Sequence, residues 1–299
     1  MASTELQYRP ERAPWGNFPP VIRCGDLGML KGDVHYEAAK GGSTADALAM
    51  VQAHITDEFL SSIAQLAGGQ NPRLVPVLAQ EQAGRNKIPL ALATCLGDAL
   101  ELGVDTDIVQ VVRAFRTNKG ADHRLAFCPA FDGPVQAGQP YIIMDDTLSM
   151  GGTLAALRGY IENRGGRVIG ACALTAHPGA LNLPVTQSML DRIAAKHGDG
   201  MNDYWIEEFG YGIDQLTQGE AGHLRAAASV EQIRDRITAA RNAAVASGNA
   251  PAAPGSETQA RTLSRSEILA AGVSHMNATL DNGAADEHVE VRSRPRFGP

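Results

Sequence analysis

Apolar residues early in the chain follow the period of an amphipathic helix over residues 43–66. Ser43 and Thr44 are both candidates for its N-cap, and Ser43 with Asp46 approximates a capping box. Gly68-Gly69 follow its end, a common position for a helix stop. The stripe therefore predicts one long helix with a buried face. Its apolar members are Leu48, Val51, Ile55, Phe59, Ile63 and Leu66.

Short continuous apolar runs alternate with further helical patterns between residues 73 and 177, and each run predicts a buried strand. The runs span residues 73–79, 108–112, 141–144 and 168–173. Pro76 suggests an irregularity in the first of them. Helical patterns cover residues 89–102 and begin again at Leu154. Since strands that alternate with helices form parallel sheets, the pattern predicts an α/β fold built on a doubly wound parallel sheet.

The flanks of this alternating region differ from it in composition. Residues 1–33 contain several Pro and Gly residues, so little regular structure is expected there. Helical patterns return at 186–197 and 229–245, and the remainder of the chain is rich in small and polar residues. The predicted units are an N-terminal extension (1–42), a core (43–180), a C-terminal helical elaboration (181–245) and a linker with a disordered tail (246–299).

Composition is ordinary for a soluble globular protein, with 299 residues, 44% hydrophobic and 20% charged. The net charge of −7 argues against a general nucleic-acid binder. The four cysteines form no CxxC pair and are expected to be reduced core residues. The N-terminus lacks the pattern of a signal peptide, and no apolar run approaches the ~18 residues of a membrane span. A cytoplasmic protein without membrane contact is therefore expected.

The residues best suited to chemistry follow the apolar run at 141–144. Asp145 and Asp146 come directly after it, the small-residue turn 149–153 comes next, and a helical pattern then begins. Such a turn points backbone N–H groups at one spot, and a helix N-terminus adds a partial positive charge, so the turn suits a phosphate. The acid pair can accept hydrogen bonds from vicinal hydroxyls. The pattern predicts a sugar-phosphate site; the alternative is a buried parallel strand that ends in a solvated turn.

This stretch resembles the phosphoribosyl pyrophosphate (PRPP) loop of the type I phosphoribosyltransferases. That loop has a buried strand, two acids, two mostly apolar residues, a Ser or Thr, and a Gly-rich end that contains Thr. The residues that fit it are Asp145, Asp146, Thr147, Leu148, Ser149, Gly151, Gly152 and Thr153. Met150 departs from the usual small or hydroxylic residue, although its backbone amide could still bind phosphate. The resemblance extends over roughly residues 43–177, the region whose element order is consistent with the family.

The resemblance implies a type I phosphoribosyltransferase-like fold with N-terminal and C-terminal helical elaborations. It also implies an enzyme that transfers a 5-phosphoribosyl group between PRPP and a nitrogenous base or similar acceptor, with release of pyrophosphate. Asp145 and Asp146 would be catalytic, because carboxylates at the ribose hydroxyls orient the ring and stabilise an oxocarbenium-like transition state. Mg²⁺ would enter with the diphosphate instead of occupying a dedicated metal site. The residues that would bind the 5-phosphate are Thr147, Ser149, Met150, Gly151, Gly152 and Thr153.

Two further loops are expected at the same edge of the sheet. Gln80, Glu81 and Gln82 stand where the family holds pyrophosphate through backbone amides, and an ordinary solvated turn is the alternative. Residues 113–139 show no sustained periodicity, and the family has a mobile loop here that closes over the reacting centre with a cation. The candidate cations are Arg116, Lys119 and Arg124, each of which has a solvated surface charge as its alternative.

The acceptor cannot be named from the sequence. Residues 35–40 and the aromatic stretch 204–211 are candidates for a hood over a planar base, and ordinary core packing is the alternative for both. Ser149 stands where family members that act on 6-oxopurines often have Asp, which argues against that substrate class. Two other functions compete with the enzyme: a regulatory protein that senses PRPP or a nucleotide without catalysis, and a phosphoacceptor receiver domain. The sequence is also compatible with a homodimer.

Overall fold

The structure, a computed structural model, describes residues 11–81, 84–111 and 120–246. The first half of the chain forms β1 (Ile22–Asp26), α1 (Tyr36–Gly41), α2 (Thr44–His54), α3 (Asp57–Ala67), β2 (Arg73–Pro76), β3 (Gln80–Glu81), β4 (Gly84–Arg85), α4 (Ile88–Leu100) and β5 (Val109–Gln110). The second half forms α5 (Ala121–Ala126), β6 (Phe131–Asp132), β7 (Pro140–Leu148), α6 (Gly152–Glu162), β8 (Arg167–Ala176), α7 (Gln187–His197), α8 (Gly200–Phe209), α9 (Gln218–Ala226) and α10 (Val230–Ala246).

Four parallel strands form the central sheet, in the order β1-β8-β7-β2. Alternate residues of β7 point to opposite faces, as the period of a strand requires. Tyr141 and Ile143 belong to the apolar cluster that includes α6, whereas Ile142 and Met144 belong to the cluster formed with α2, α3 and α4. The predicted parallel α/β sheet, with helices on both faces, is therefore confirmed.

The strand predicted at 108–112 is shorter than expected and lies outside this sheet. Val109 pairs with Asp132 in an antiparallel two-stranded ribbon of β5 and β6. Gly133, directly after β6, allows the chain to approach the segment before β5: its φ is +139°, and a Cβ there would lie 2.2 Å from the carbonyl oxygen of Asp107. A local apolar run predicts a strand but cannot show which partner it pairs with.

The helix predicted over 43–66 is divided into α2 and α3. Ser43 caps α2 and Gly68 ends α3 in the left-handed conformation, both as predicted. The break comes at Ile55, whose backbone is extended, and at Thr56, whose side chain accepts a hydrogen bond from the amide of Phe59. Thr56 is followed by two acidic residues in the first turn of α3, an arrangement that favours a new helix start over continuation.

The expectation of little regular structure in residues 1–33 is wrong for β1. This strand pairs in parallel with β8, from Ile22 opposite Cys172 to Asp26 opposite Ala176. The prolines at 19 and 20 precede the strand and Gly28 follows it, so they mark its ends. The chain therefore enters the central sheet well before the predicted core boundary at residue 43.

Helices α7 to α10, together with α5, enclose a third apolar cluster around the fully buried Trp205. The helical patterns at 186–197 and 229–245 are thereby confirmed as α7 and α10. The boundaries between the four predicted units remain predictions, and the linker and tail after residue 246 lie outside the described residues. In residues 11–81, 84–111 and 120–246, no helix has the length and apolarity to cross a membrane.

Residues 11–15, called the N-terminal strap below, join this third cluster to the sheet. Both terminal nitrogens of Arg12 donate to the carboxylate of Glu220 on α9 at 2.9 Å, and each of the two side chains is 1% exposed. The indole nitrogen of Trp15 donates to the carbonyl of Leu216 at 2.8 Å. The strap therefore fixes the C-terminal helices to the α/β core.

The other side of the strap lies against α6. Arg158 of that helix donates to the carbonyl of Ala13 at 3.0 Å and to that of Pro14 at 2.7 Å. Gly159 allows the close approach, because a Cβ there would lie 2.5 Å from the carbonyl oxygen of Glu11. The helix that follows the predicted phosphate turn is thus held in place by the N-terminal strap.

Candidate functional site

The acid pair lies near the carboxyl end of β7, where ligands of parallel α/β sheets commonly bind. Asp145 stands opposite Ala173 of β8, and the hydroxyls of Thr147 and Thr175 lie 3.2 Å apart across the same two strands. The backbone amide of Asp146 donates to the carboxylate of Asp145 at 2.9 Å. Regular strand pairing therefore continues through the acid pair and fixes both carboxyls on a rigid element.

Asp146 is held by two side chains from distant parts of the sequence. The ammonium of Lys40, at the end of α1, lies 2.7 Å from Asp146 Oδ2, with the two side chains 14% and 7% exposed. The amide nitrogen of Asn86, just before α4, donates to the same oxygen at 3.0 Å. The end of β7, the loop before α4 and the N-terminal helix α1 thus meet at one carboxylate.

The pKa values of the two carboxyls are shifted in opposite directions. Burial raises the pKa of Asp145 well above its usual value, and the negative charge of Asp146 raises it further. Burial acts in the same direction on Asp146, but the charge of Lys40 and the hydrogen bonds from Lys40 and Asn86 outweigh it and lower that pKa. The negative charge of the pair is therefore concentrated on Asp146, while Asp145 keeps its proton to higher pH.

The turn after β7 favours glycine at position 151. Gly151 has φ +80°, a conformation that strains other residues, and a Cβ there would lie 2.3 Å from Leu183 Cδ2, so that side chain would have to move. Gly151 is the N-cap residue of α6 and supplies no side-chain oxygen to the first-turn N–H groups. The hydroxyl of Thr217 donates to the carbonyl of Met150 at 2.6 Å, so α9 braces the turn from the other side.

A cation lies at the turn as well. Arg124 of α5 donates a hydrogen bond from its guanidinium to the hydroxyl of Ser149. Burial lowers the pKa of Arg124, although an arginine stays charged at neutral pH. The same short helix is anchored to α9, because His223 Nε2 lies 2.7 Å from a carboxylate oxygen of Asp122. Of the three candidate cations, Arg124 lies on α5 beside Ser149 of the predicted phosphate turn, while Arg116 and Lys119 lie outside the described residues.

The loop predicted to hold pyrophosphate is a small hairpin. The backbones of Gln80 and Glu81 form β3, which pairs with β4, and Gln82 lies outside the described residues. The hairpin leads directly to Asn86, which bonds Asp146, and to the buried Lys87. Burial lowers the pKa of Lys87, and the neighbouring charge of Arg85 adds to this. The residues after the hairpin therefore bring both a hydrogen-bond donor and positive charge to this part of the sheet edge.

The two predicted hood segments have different surroundings. Residues 35–40 reach the site through Lys40, a contact that sequence reasoning missed. The rings of the 204–211 stretch pack against one another, with the centroids of Trp205 and Phe209 4.3 Å apart and both residues buried in the third cluster. This agrees with the packing alternative, and a role over an acceptor stays a prediction.

The residues at the acid pair do not fit a resident metal ion. Within residues 11–81, 84–111 and 120–246, no three His, Cys, Asp or Glu side chains are grouped so that they could hold a metal. Asp146 Oδ2 already accepts from both Lys40 and Asn86.

Two curated proteins share sequence with the chain, while no protein-family model matches it. It is 58% identical over 237 residues to "Protein TraN" of Escherichia coli, which covers 79% of this chain and 53% of that protein. It is 43% identical over 159 residues to an "Uncharacterized protein" of Haemophilus influenzae, which covers 53% of this chain and 36% of that protein. The chain thus spans about half the length, or less, of the curated relatives it matches.

Several solved structures of phosphoribosyltransferases resemble parts of the chain. The match with an adenine phosphoribosyltransferase from Rhodothermus marinus spans 44% of this chain and 73% of that chain, at 19% identity and a TM-score of 0.27. The match with a purine phosphoribosyltransferase from Pyrococcus horikoshii spans 40% of this chain and 80% of that chain, at 13% identity and a TM-score of 0.26. The match with the Leishmania donovani UMP synthase spans 66% of this chain and 43% of that chain, at 11% identity and a TM-score of 0.27. Likenesses this weak carry no argument, so the function has to be argued from the site.

Proposed function

We propose that this protein has a type I phosphoribosyltransferase-like fold and transfers a 5-phosphoribosyl group between PRPP and a nitrogenous acceptor, with release of pyrophosphate. The observation that carries the proposal is the strand-to-helix connection of β7 and α6. It places a rigid acid pair, a glycine turn at a helix N-terminus and the guanidinium of Arg124 along one stretch of backbone. This set of groups suits a ligand that has vicinal hydroxyls beside a phosphate.

In this proposal the turn 149–153 binds the 5-phosphate through its backbone N–H groups and the positive end of α6. Arg124 adds a charged donor at Ser149. The acid pair binds the 2- and 3-hydroxyls of the ribose, and Asp146 supplies the negative charge that stabilises the ring as pyrophosphate departs. Mg²⁺ enters bound to the diphosphate of PRPP. The backbone of β3 and the residues after β4 would lie beside that diphosphate.

Replacement of Gly152 by Glu tests the phosphate site. The new carboxylate would stand at the first position of α6, where it would fill the anion site and repel a phosphate, so calorimetric binding of ribose 5-phosphate should be lost. Gly32→Glu is the matched control, because Gly32 is exposed and a Cβ there meets no atom within 4 Å. Unchanged affinity in a folded Gly152→Glu protein would place the phosphate elsewhere.

Arg124 gives a second, independent test of the same site. A hydrogen bond to a charged group contributes ~1.5–3 kcal/mol, so Arg124→Met should weaken ribose 5-phosphate binding about 10- to 100-fold. Arg192→Met, at an exposed position of α7, removes the same charge elsewhere and should leave the affinity nearly unchanged. Equal losses in the two variants would mean that only the overall charge matters.

The second candidate is a regulatory protein that binds PRPP or a nucleotide without catalysis. The ion pair of Lys40 and Asp146 favours it, because a contact ammonium neutralises the charge that would stabilise the transition state. Incubation with PRPP, Mg²⁺ and a panel of bases separates the two candidates. Pyrophosphate release with a new nucleotide in the mass spectrum supports the enzyme, whereas PRPP binding without either product supports the sensor.

A further inference from the structure

We propose that Lys40 is the built-in counter-cation of the acid pair and occupies the place that a divalent metal ion would otherwise take at Asp146. The inference concerns the same site as the proposed function and rests on that function for its ligand. It assigns a positioning role to a residue of the N-terminal extension. The ammonium lies 2.7 Å from Asp146 Oδ2, and both side chains are largely buried.

The backbone around Lys40 holds this contact in place. The carbonyl of Ala39 accepts a hydrogen bond from the amide of Lys87 at 3.1 Å, which ties α1 to the loop that carries Asn86. Gly42 ends α1 in the left-handed conformation, and a Cβ there would lie 3.6 Å from the carbonyl oxygen of Arg85. The packed end of α1 therefore fixes the backbone of Lys40 next to Asp146, which distinguishes this contact from an ion pair between mobile surface side chains.

Electrostatics explains why a cation is needed here. Asp146 is buried beside a second carboxyl, and both conditions disfavour its ionised form unless a cation lies next to it. Mg²⁺ provides such a charge in many phosphate sites, where it uses one or two carboxylates together with ligand phosphates. Lys40 provides a compact positive charge with three donors, one of which already bonds Asp146.

The contact has a consequence for ligand binding. An ammonium at contact distance repels a second cation, so Asp146 should not bind a divalent ion while Lys40 is present. The hydroxyls of a ribose phosphate would then meet a carboxylate already positioned by Lys40 and Asn86. Binding of a ribose phosphate that lacks a diphosphate should therefore be independent of divalent ions.

Titration with Mn²⁺, followed by electron paramagnetic resonance, tests the inference without reference to activity. We expect no site at the acid pair in the wild-type protein, and one new site in Lys40→Met with an affinity at least tenfold tighter than any wild-type binding. Lys31→Met removes an exposed lysine from the same region and should behave as the wild type. Adding Asp146→Asn to Lys40→Met should abolish the new site.

Two outcomes would overturn the inference. One is tight Mn²⁺ binding by the wild-type protein that Asp146→Asn removes. The other is the same Mn²⁺ affinity in folded Lys40→Met and in the wild type. If Lys40→Met does not fold, Lys40→Gln retains a hydrogen-bond donor to Asp146 without the charge and should show the gained site instead.

Ribose 5-phosphate binding, measured with Mg²⁺ and with a chelator, separates this inference from the proposed function. Wild-type affinity should be the same in both conditions, and Lys40→Met should bind at least tenfold more tightly with Mg²⁺ than without. A wild-type affinity that requires Mg²⁺ contradicts the role of Lys40. If ribose 5-phosphate does not bind at all, the proposed function fails, whereas the gained Mn²⁺ site still supports Lys40 as the counter-cation.

Discussion

Replacing Asp146 by Asn should lower the rate of the proposed phosphoribosyl transfer by ~10²–10³-fold, the usual effect of losing one preorganised electrostatic group. The amide keeps the size of the side chain and can still bond a ribose hydroxyl. The positive charge that develops on the sugar ring, however, loses its partner, and this loss occurs in the transition state alone. The affinity for PRPP should therefore fall much less than the turnover number. The turnover number is measured by the release of pyrophosphate, and the affinity for PRPP is measured by calorimetry.

Asp145→Asn is the matched comparison, because the two carboxyls are adjacent but differ in charge. Burial and the charge of Asp146 raise the pKa of Asp145, whereas Lys40 and Asn86 lower the pKa of Asp146, so Asp145→Asn should remove less negative charge than Asp146→Asn. We expect Asp145→Asn to reduce the rate clearly less than Asp146→Asn, and the double variant to resemble Asp146→Asn. The opposite order would assign the catalytic charge to Asp145.

The partner of Asp146 needs its own control. Asp146→Asn leaves the ammonium of Lys40 partly buried without its carboxylate, which could disturb the site independently of the chemistry. Lys40→Met combined with Asp146→Asn removes both charges and tests this. If the double variant is as slow as Asp146→Asn, the lost rate belongs to the carboxylate. Equal losses of rate and affinity in Asp146→Asn would make the acids simple binding groups.

The part of the site that could be predicted lies within one continuous stretch of sequence. Residues 141–153 contain the strand, both acids and the glycine turn, so their order in the chain also gives their order in space. The apolar run 141–144 predicts the first half of the buried strand, whereas the structure continues β7 through both acids to Leu148. The glycine turn that follows is predicted, and the left-handed backbone of Gly151 explains its glycine. For such a segment the sequence is close to a description of the local structure.

The contacts of Lys40 and Asn86 with Asp146 could not be predicted in the same way. They depend on how α1 and the loop before α4 pack against the end of β7, and no local pattern records a contact across 106 or 60 positions of sequence. The break between α2 and α3 was not predicted, for a different reason. The apolar stripe continues through it, and the Thr56 cap outweighs the period.

The buried pair of Arg12 and Glu220 predicts a large effect on stability. Replacing Arg12 by Met should lower the free energy of unfolding by ~3–5 kcal/mol, because it leaves the Glu220 carboxylate buried without its bidentate partner. Urea denaturation, followed by the fluorescence of Trp205 and Trp15, measures the change. The two tryptophans report on the third cluster and on the N-terminal strap.

Arg164→Met is the control for this prediction. Arg164 pairs with Glu11 of the same strap at 2.7 Å, but the two side chains are 40% and 32% exposed, so the loss should be only ~0–1 kcal/mol. A double-mutant cycle with Glu220→Gln isolates the pair itself, although Glu220 also accepts a hydrogen bond from the amide of Thr217 at 3.0 Å. Similar losses for the buried and the exposed pair would contradict the argument from burial.

Arg12→Met should also weaken the proposed phosphate site, because Arg12 holds α9 through Glu220. That helix braces the turn through Thr217 at its start and holds α5 through His223, and α5 carries Arg124. If the strap releases α9, the turn loses one support and the guanidinium loses its anchor. We therefore expect Arg12→Met to lower ribose 5-phosphate affinity under conditions in which the sheet is still folded, whereas Arg164→Met should not. Affinity that stays at the wild-type level in folded Arg12→Met would show that the phosphate site does not depend on the C-terminal helices.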